Sequence, residues 1–182
     1  MLDLKNLTWE HHKNAERQAF VKEMFGGNIT NERYATYLYN QFPQYDLLEA
    51  IAFSHGLFND MPELRRSSVI LEDFYELWPD KDVKPQICPV VEEYIQYLKP
   101  LINDPDKIMA HVYVRHMGDL SGGQMIAKRV PGEGRYYKFN KDTEQLKTIV
   151  RSKLNNEMAE EAKVCFDFAT KLFQQLGEAK EA

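Results

Sequence analysis

The chain has 182 residues, with 23 Lys and Arg against 28 Asp and Glu, a net charge of −5 with histidine neutral. At roughly 150 residues per domain this predicts a single domain over residues 1–182, and 43% hydrophobic residues argue against disorder. No apolar run reaches the roughly 18 residues of a membrane span, the start MLDLKNLTWEHHKN lacks the apolar stretch expected of a signal peptide, and the acidic balance disfavours a general nucleic-acid binder. The expectation is a cytoplasmic protein with no membrane or nucleic-acid partner. Cys88 and Cys165 form no CxxC, which excludes a zinc ribbon and a thioredoxin-type site.

The periodicity is helical nearly throughout. Leu7, Trp9, His12, Ala15, Ala19 and Phe20 predict a first helix closed by Gly26-Gly27. A second begins after Thr30 or Asn31, both good N-caps, and runs to about Phe58. Pro43 lies inside it and predicts a kink or break near Gln41–Phe42. Asp60-Met61-Pro62 reads as a turn, followed by a helix over about 63–78. Pro79, Pro85 and Pro89 make 79–90 the least regular connection. Helices over 90–99 and 105–129 follow, then a break at Pro131-Gly132-Glu133-Gly134. YYKF (136–139) is the only strand-like piece. From 142 to 177 one apolar stripe predicts a single long helix ended by Gly177. The fold class is all-α, a single-domain bundle of about seven helices with short loops that favour antiparallel neighbours.

The segment HVYVRHMGDLSGGQMIAKR (111–129) reads as helix yet carries Gly118, Gly122 and Gly123. Three such glycines cost roughly 2–3 kcal/mol relative to alanine. Close helix packing would offset that. So would a flat ligand lying against the backbone, with the helix bent at its weak turns. Arg115 and Asp119, spaced i,i+4, predict a polar pair beside the glycine gap, as an oxygen-handling pocket would need. LSGGQ is also the signature of cassette ATPases. That reading requires a phosphate loop, and the chain has no Gly-Lys dipeptide.

None of the five histidines, His11, His12, His55, His111 and His116, has glutamate three residues before it. This excludes a standard di-iron carboxylate bundle. A haem needs one neutral imidazole. In EHHKNAE (10–16), His12 and Glu16 are i,i+4, so the carboxylate can reach the ring and fix its tautomer. A solvated helix pair has the same spacing.

Together, RHMGDLSGGQ and HHKNAE resemble the signatures of the haem oxygenase family, in the family's order, and the likeness extends over about residues 2–176. The resemblance implies haem b held between a proximal helix and a kinked distal helix. His12 corresponds to the iron ligand and Glu16 to its orienting carboxylate; His11 does not match and is expected to be exposed. Gly118 and Gly122, with Gly123 beside them, correspond to the close approach of the distal helix. Asp119 corresponds to the carboxylate that organises distal water, with Tyr45 and Arg115 in the same polar network. Lys5, Tyr113, Lys147 and Arg151 correspond to groups at the propionate edge.

The implied activity uses haem as cofactor and substrate. It consumes O2 and electrons from a reduced ferredoxin or reductase, and opens the ring at a meso carbon, α by these anchors, to biliverdin, CO and ferrous iron. A downstream bilin reductase is a further possible partner. Lys13, Arg17, Lys128, Arg129 and Lys153 are candidates for a basic docking patch. The chain departs from the pattern in three ways: the stretch between Gln124 and Lys147 is trimmed, His116-Met117 stands where an aromatic-aliphatic pair is usual, and no C-terminal anchor is expected. Two other readings compete. A non-catalytic haem-binding or trafficking protein would not need Asp119 and Arg115. A helical enzyme acting on a thiamin fragment would need a nucleophilic cysteine, and Cys165 has no basic activator near it in sequence.

Overall fold

The computed structural model describes residues 1–181. Ten α-helices follow one another: α1 (Leu4–Leu7), α2 (Trp9–Glu16), α3 (Ala19–Phe25), α4 (Asn31–Ser54), α5 (Ser67–Leu77), α6 (Pro89–Leu98), α7 (Pro105–Leu120), α8 (Gly123–Ile126), α9 (Thr143–Ser152) and α10 (Ala159–Glu181). Short 3-10 turns lie between several of them. Among the described residues there is no strand, as the periodicity predicts, and no helix is long and apolar enough to cross a membrane.

The central element is α4, which packs on α5, α6 and α7, while α10 packs on α2, α3, α6 and α7. Thr30 caps α4 by accepting the Arg33 N–H at 3.1 Å. The helix runs through Pro43 without ending. The predicted break is overruled because Tyr37, Leu38, Gln44, Tyr45 and Leu48, on either side of the proline, are buried against three helices. Tertiary packing outweighs one lost backbone bond.

The predicted first helix is three. Thr8 turns its hydroxyl back to the Leu4 carbonyl at 2.9 Å, which competes with helix continuation, and Gln18 is extended. The predicted helix over 142–177 is two, α9 and α10, separated at Asn155, whose backbone is extended. Asn156 accepts the Asp3 N–H at 2.7 Å and donates to the Met1 carbonyl at 3.0 Å, tying the chain start to this break. Gly177 ends nothing, since α10 continues past it.

The strand-like YYKF is a 3-10 turn over Arg135–Tyr137. Buried Arg66 holds it from below, donating to the carbonyls of Arg135, Tyr136 and Lys138 at 3.3, 3.0 and 2.7 Å. The Tyr136 N–H donates to Asp73 at 2.8 Å. The turn enters through Gly134 at φ +66°, a left-handed conformation suited to glycine. The trimmed region is therefore packed: Tyr136 and Tyr137 stack at 4.1 Å and both are buried beneath the 111–126 segment.

Candidate functional site: an open glycine face over a buried carboxylate

The expected kink in the distal segment falls at Ser121–Gly122, where the helix is interrupted. α7 ends at Leu120, Ser121 leaves helical geometry at φ −105°, ψ −92°, and α8 restarts at Gly123. Gly118 is exposed, and a Cβ added there would meet nothing within 4 Å. At Gly122 it would meet only the Gly118 carbonyl oxygen, at 4.0 Å. These two glycines present bare backbone to an open face, a cradle that side chains would fill. Gly123 has another reason for its missing side chain. A Cβ there would lie 2.5 Å from the Tyr137 ring, so this glycine serves internal packing.

On the same segment, Asp119 is buried at 5% exposure and accepts a hydrogen bond from the Tyr45 hydroxyl at 2.8 Å. Burial raises the Asp119 carboxyl to about 6, against the opposing pull of His116, Tyr45 and Arg66. Tyr45 is itself buried, and burial and Asp119 hold its hydroxyl protonated far above neutral pH.

The predicted Arg115–Asp119 pair is not formed. Arg115 turns inward and donates to Gln44 at 2.8 Å and to the Tyr94 hydroxyl at 3.2 Å. Tyr94 continues to His111 Nδ1 at 2.8 Å, and His111 Nε2 to Glu161 at 2.8 Å. Cys165 joins this cluster, its Sγ 3.9 Å from the Tyr94 hydroxyl. Burial pushes the thiol up, but His111 and Arg115 bring it below its ordinary value. The thiol thus has basic neighbours that the sequence could not show. It is also sealed, at 0% exposure. Both cysteines are free.

On the proximal side, His12 and Glu16 pair as their spacing predicts, with Nε2 to Oε1 at 2.6 Å. The His12 ring stacks on Phe166 of α10 at 5.3 Å and meets Trp9 edge-on at 5.4 Å. Glu16 thus takes Nε2, which leaves Nδ1 as the ring nitrogen without that contact. His12 is about one-third exposed, as an imidazole free to take a ligand must be. His11 is not simply exposed: its Nδ1 is 2.8 Å from Asp167, which commits it to α10.

The propionate-edge residues divide. Lys5 is exposed, its Nζ 5.9 Å from the centre of the Trp9 ring, and Arg151 is exposed on α9. Half-buried Tyr113 senses both sides of that edge: burial raises its hydroxyl, while Thr8 and Arg151 lower it. Lys147 is paired with Glu144 at 3.1 Å, so it is not a free cation. Of the basic patch, Arg17, Lys128 and Arg129 are exposed. Lys13 pairs with Glu10 at 3.4 Å and Lys153 with Asp60 at 3.0 Å. Arg129 caps α3 through the Phe25 carbonyl at 2.8 Å.

Sequence reasoning missed the supports of the site: Gln44, Glu49, Arg66, His116 and Tyr136. Each joins it through a contact of long sequence separation. His116 reaches Glu49 at 2.7 Å across 67 residues. The only signal was that a histidine stood where an aromatic residue is usual.

The model of the family "Heme oxygenase" matches residues 1–175. Heme oxygenase of Rhodella violacea is 30% identical, over 96% of this chain and 86% of its own length. Heme oxygenase 2 of Synechocystis is 32% identical, over 86% of this chain and 71% of its own. This chain spans 65% of the length of heme oxygenase 2 of Macaca fascicularis, to which it is 30% identical. Among solved structures, Synechocystis heme oxygenase-2, in complex with heme and NO, superposes with a TM-score of 0.84 at 28% identity, covering 97% of this chain and 84% of that one. The heme oxygenase of Leptospira interrogans gives 0.78 at 28%, covering 93% and 96%. A family match over nearly the whole chain agrees with the glycine face, the buried carboxylate and the His12–Glu16 pair, and the chain belongs to the heme oxygenase family.

Proposed function

We propose that residues 1–182 work as one haem oxygenase unit in the cytoplasm. The unit binds haem b and opens it with O2 at a meso carbon, the α position, to biliverdin, CO and ferrous iron. A ferredoxin-type donor or a reductase supplies the electrons. The observation that carries this reading is the open backbone at Gly118 and Gly122, on the same segment as the buried Asp119 that Tyr45 bonds. A protein that only stored haem would have no use for a buried acid there.

Haem, when bound, supplies both the oxygen-activating iron and the ring that is cut. The chain's own residues do the rest. His12 would hold the iron through a ring nitrogen while Glu16 fixes the ring. Gly118 and Gly122 let the backbone come close enough to limit approach to one edge. Tyr45 keeps its proton and gives its hydrogen bond to Asp119 Oδ2, which leaves an ionised carboxylate to order water at this face. Arg115 fixes Gln44 and Tyr94 beneath it. Gly123 supports the same face through its packing on Tyr137. Lys5, Tyr113 and Arg151 set the in-plane rotation through the propionates, with Lys147 joining them once it leaves Glu144. Arg17, Lys128 and Arg129 are the exposed cations for the electron donor, while Lys13 and Lys153 are engaged in ion pairs. A bilin reductase would receive the product.

The test is to add hemin to the purified protein, then a ferredoxin reducing system and air. Loss of the Soret band with growth of a biliverdin band is expected. A haem complex that persists through these conditions would overturn the reading in favour of a haem-binding protein.

A further inference from the structure

His116 has no part in the reading above, yet it sits at its centre. It is fully buried on α7, one turn before Asp119. Its ring meets the Tyr45 ring edge-on at 5.2 Å and leans on Phe58 at 5.8 Å. Nδ1 lies 3.2 Å from the Val112 carbonyl oxygen and Nε2 lies 2.7 Å from Glu49 Oε2.

Both of these neighbours are acceptors. A neutral imidazole has a single N–H, so it would point a lone pair at an oxygen. The arrangement is satisfied when both ring nitrogens carry a proton. Glu49, also fully buried, is held as the matching anion. Its Oε2 accepts the Arg66 N–H at 2.6 Å and its Oε1 accepts the Ser67 N–H at 3.0 Å. Burial works against the charge on Glu49, but the His116 and backbone hydrogen bonds prevail and hold its carboxyl below the ordinary range.

We propose that His116 is a positioning residue for Asp119. It is a buried imidazolium, clamped by Glu49 and the Val112 carbonyl and laid against Tyr45, that keeps the Asp119 carboxylate ionised at neutral pH. The proposal deepens the reading of Asp119 as the distal carboxylate and rests on it. The groups acting on Asp119 are Tyr45 from α4, His116 from its own helix, Arg66 from the segment before α5 and Tyr136 from the 3-10 turn, with Tyr34 and Tyr37 of α4 and Tyr137 of the turn also within its field. Those facing His116 are Glu49 and Tyr45 from α4 and Asp119 from α7, with Arg66 near enough to interact with both carboxylates. Among them only His116 and Arg66 are cations. Arg66 keeps its charge while it donates to three carbonyls of the turn, and acts on Asp119 from the segment before α5; His116, one helical turn from Asp119, is the second cation placed to offset its burial.

The experiment uses the haem-free protein, so it does not depend on turnover. The Asp119 carboxyl is followed by 13C NMR across pH, assigned by its loss in Asp119→Asn. His116→Phe, which restores the usual aromatic residue, should raise the Asp119 midpoint by about one unit or more. An unchanged midpoint would overturn the proposal. Because that variant strands Glu49, the wild-type 15N-histidine spectrum gives a second reading. A doubly protonated ring is expected for His116 at pH 7, told apart from the other buried histidine, His111, by its loss in Glu49→Gln. A neutral tautomer at His116 would equally overturn it. Failure of the biliverdin assay would contradict the proposed activity and leave both NMR results intact.

Discussion

The two sides of the site are built in opposite ways. His12 and Glu16 lie one turn apart on α2, a short helix with one buried residue, and their contact is local and about one-third to one-half exposed. Asp119 is buried and surrounded by α4, the Arg66 segment and the 135–137 turn, with partners up to 74 residues away. The proximal side can shift to take a ligand at little cost, because an exposed i,i+4 pair contributes only a few tenths of a kcal/mol. The distal side is fixed by packing that cannot relax piecemeal. Its residues must be in place before any ligand arrives.

Four substitutions probe that contrast. The largest effect belongs to Glu49→Ala, which strands the His116 charge in a sealed core; a loss of about 3–5 kcal/mol in chemical denaturation is expected. Glu16→Ala on the proximal side should change stability by less than about 0.5 kcal/mol. Similar losses for the two would erase the distinction.

Asp119→Asn should act in the other direction. The Asp119 carboxyl lies at about 6 in the folded protein, above its ordinary value of 3.8. The native state therefore binds more protons than the unfolded state between these values, and stability falls as pH rises through that window. At pH 7 the variant should gain about 2–3 kcal/mol over wild type. The gain should vanish below about pH 4. A variant that loses stability at pH 7 would show that Asp119 is held by favourable contacts rather than strained by burial.

Gly118→Leu separates folding from binding. Its side chain would enter open space, so folding should change little, by about 1 kcal/mol or less. Hemin affinity should fall at least about tenfold, or about 1.4 kcal/mol, because the added atoms occupy the approach face. Unchanged affinity would place the ligand elsewhere.

The same contrast explains what the sequence revealed. Helix existence was legible from period, and so were the His12–Glu16 pair and the three glycines, because each is a short-range pattern. The breaks at Thr8 and Asn155 were not. They depend on side chains bonding to backbone, Thr8 to Leu4 and Asn156 to the chain start. The expected Arg115–Asp119 pair had the right spacing and the wrong partners, since Gln44 and Tyr94 compete for the guanidinium from other helices. The role of Gly123 was misread for a related reason. A glycine beside a ligand face and a glycine under a tyrosine ring look the same until Tyr137 is folded against it. The Glu49–His116 pair joins positions 67 residues apart, and no local pattern links them.

The central claim is that the open glycine face and the buried acid form one catalytic surface. The most direct measurement is the biliverdin formed per bound haem by Asp119→Ala under a ferredoxin reducing system. Haem should bind with an unaltered histidine-ligated spectrum through His12, while the yield falls by about 100-fold. A yield equal to wild type would contradict the account.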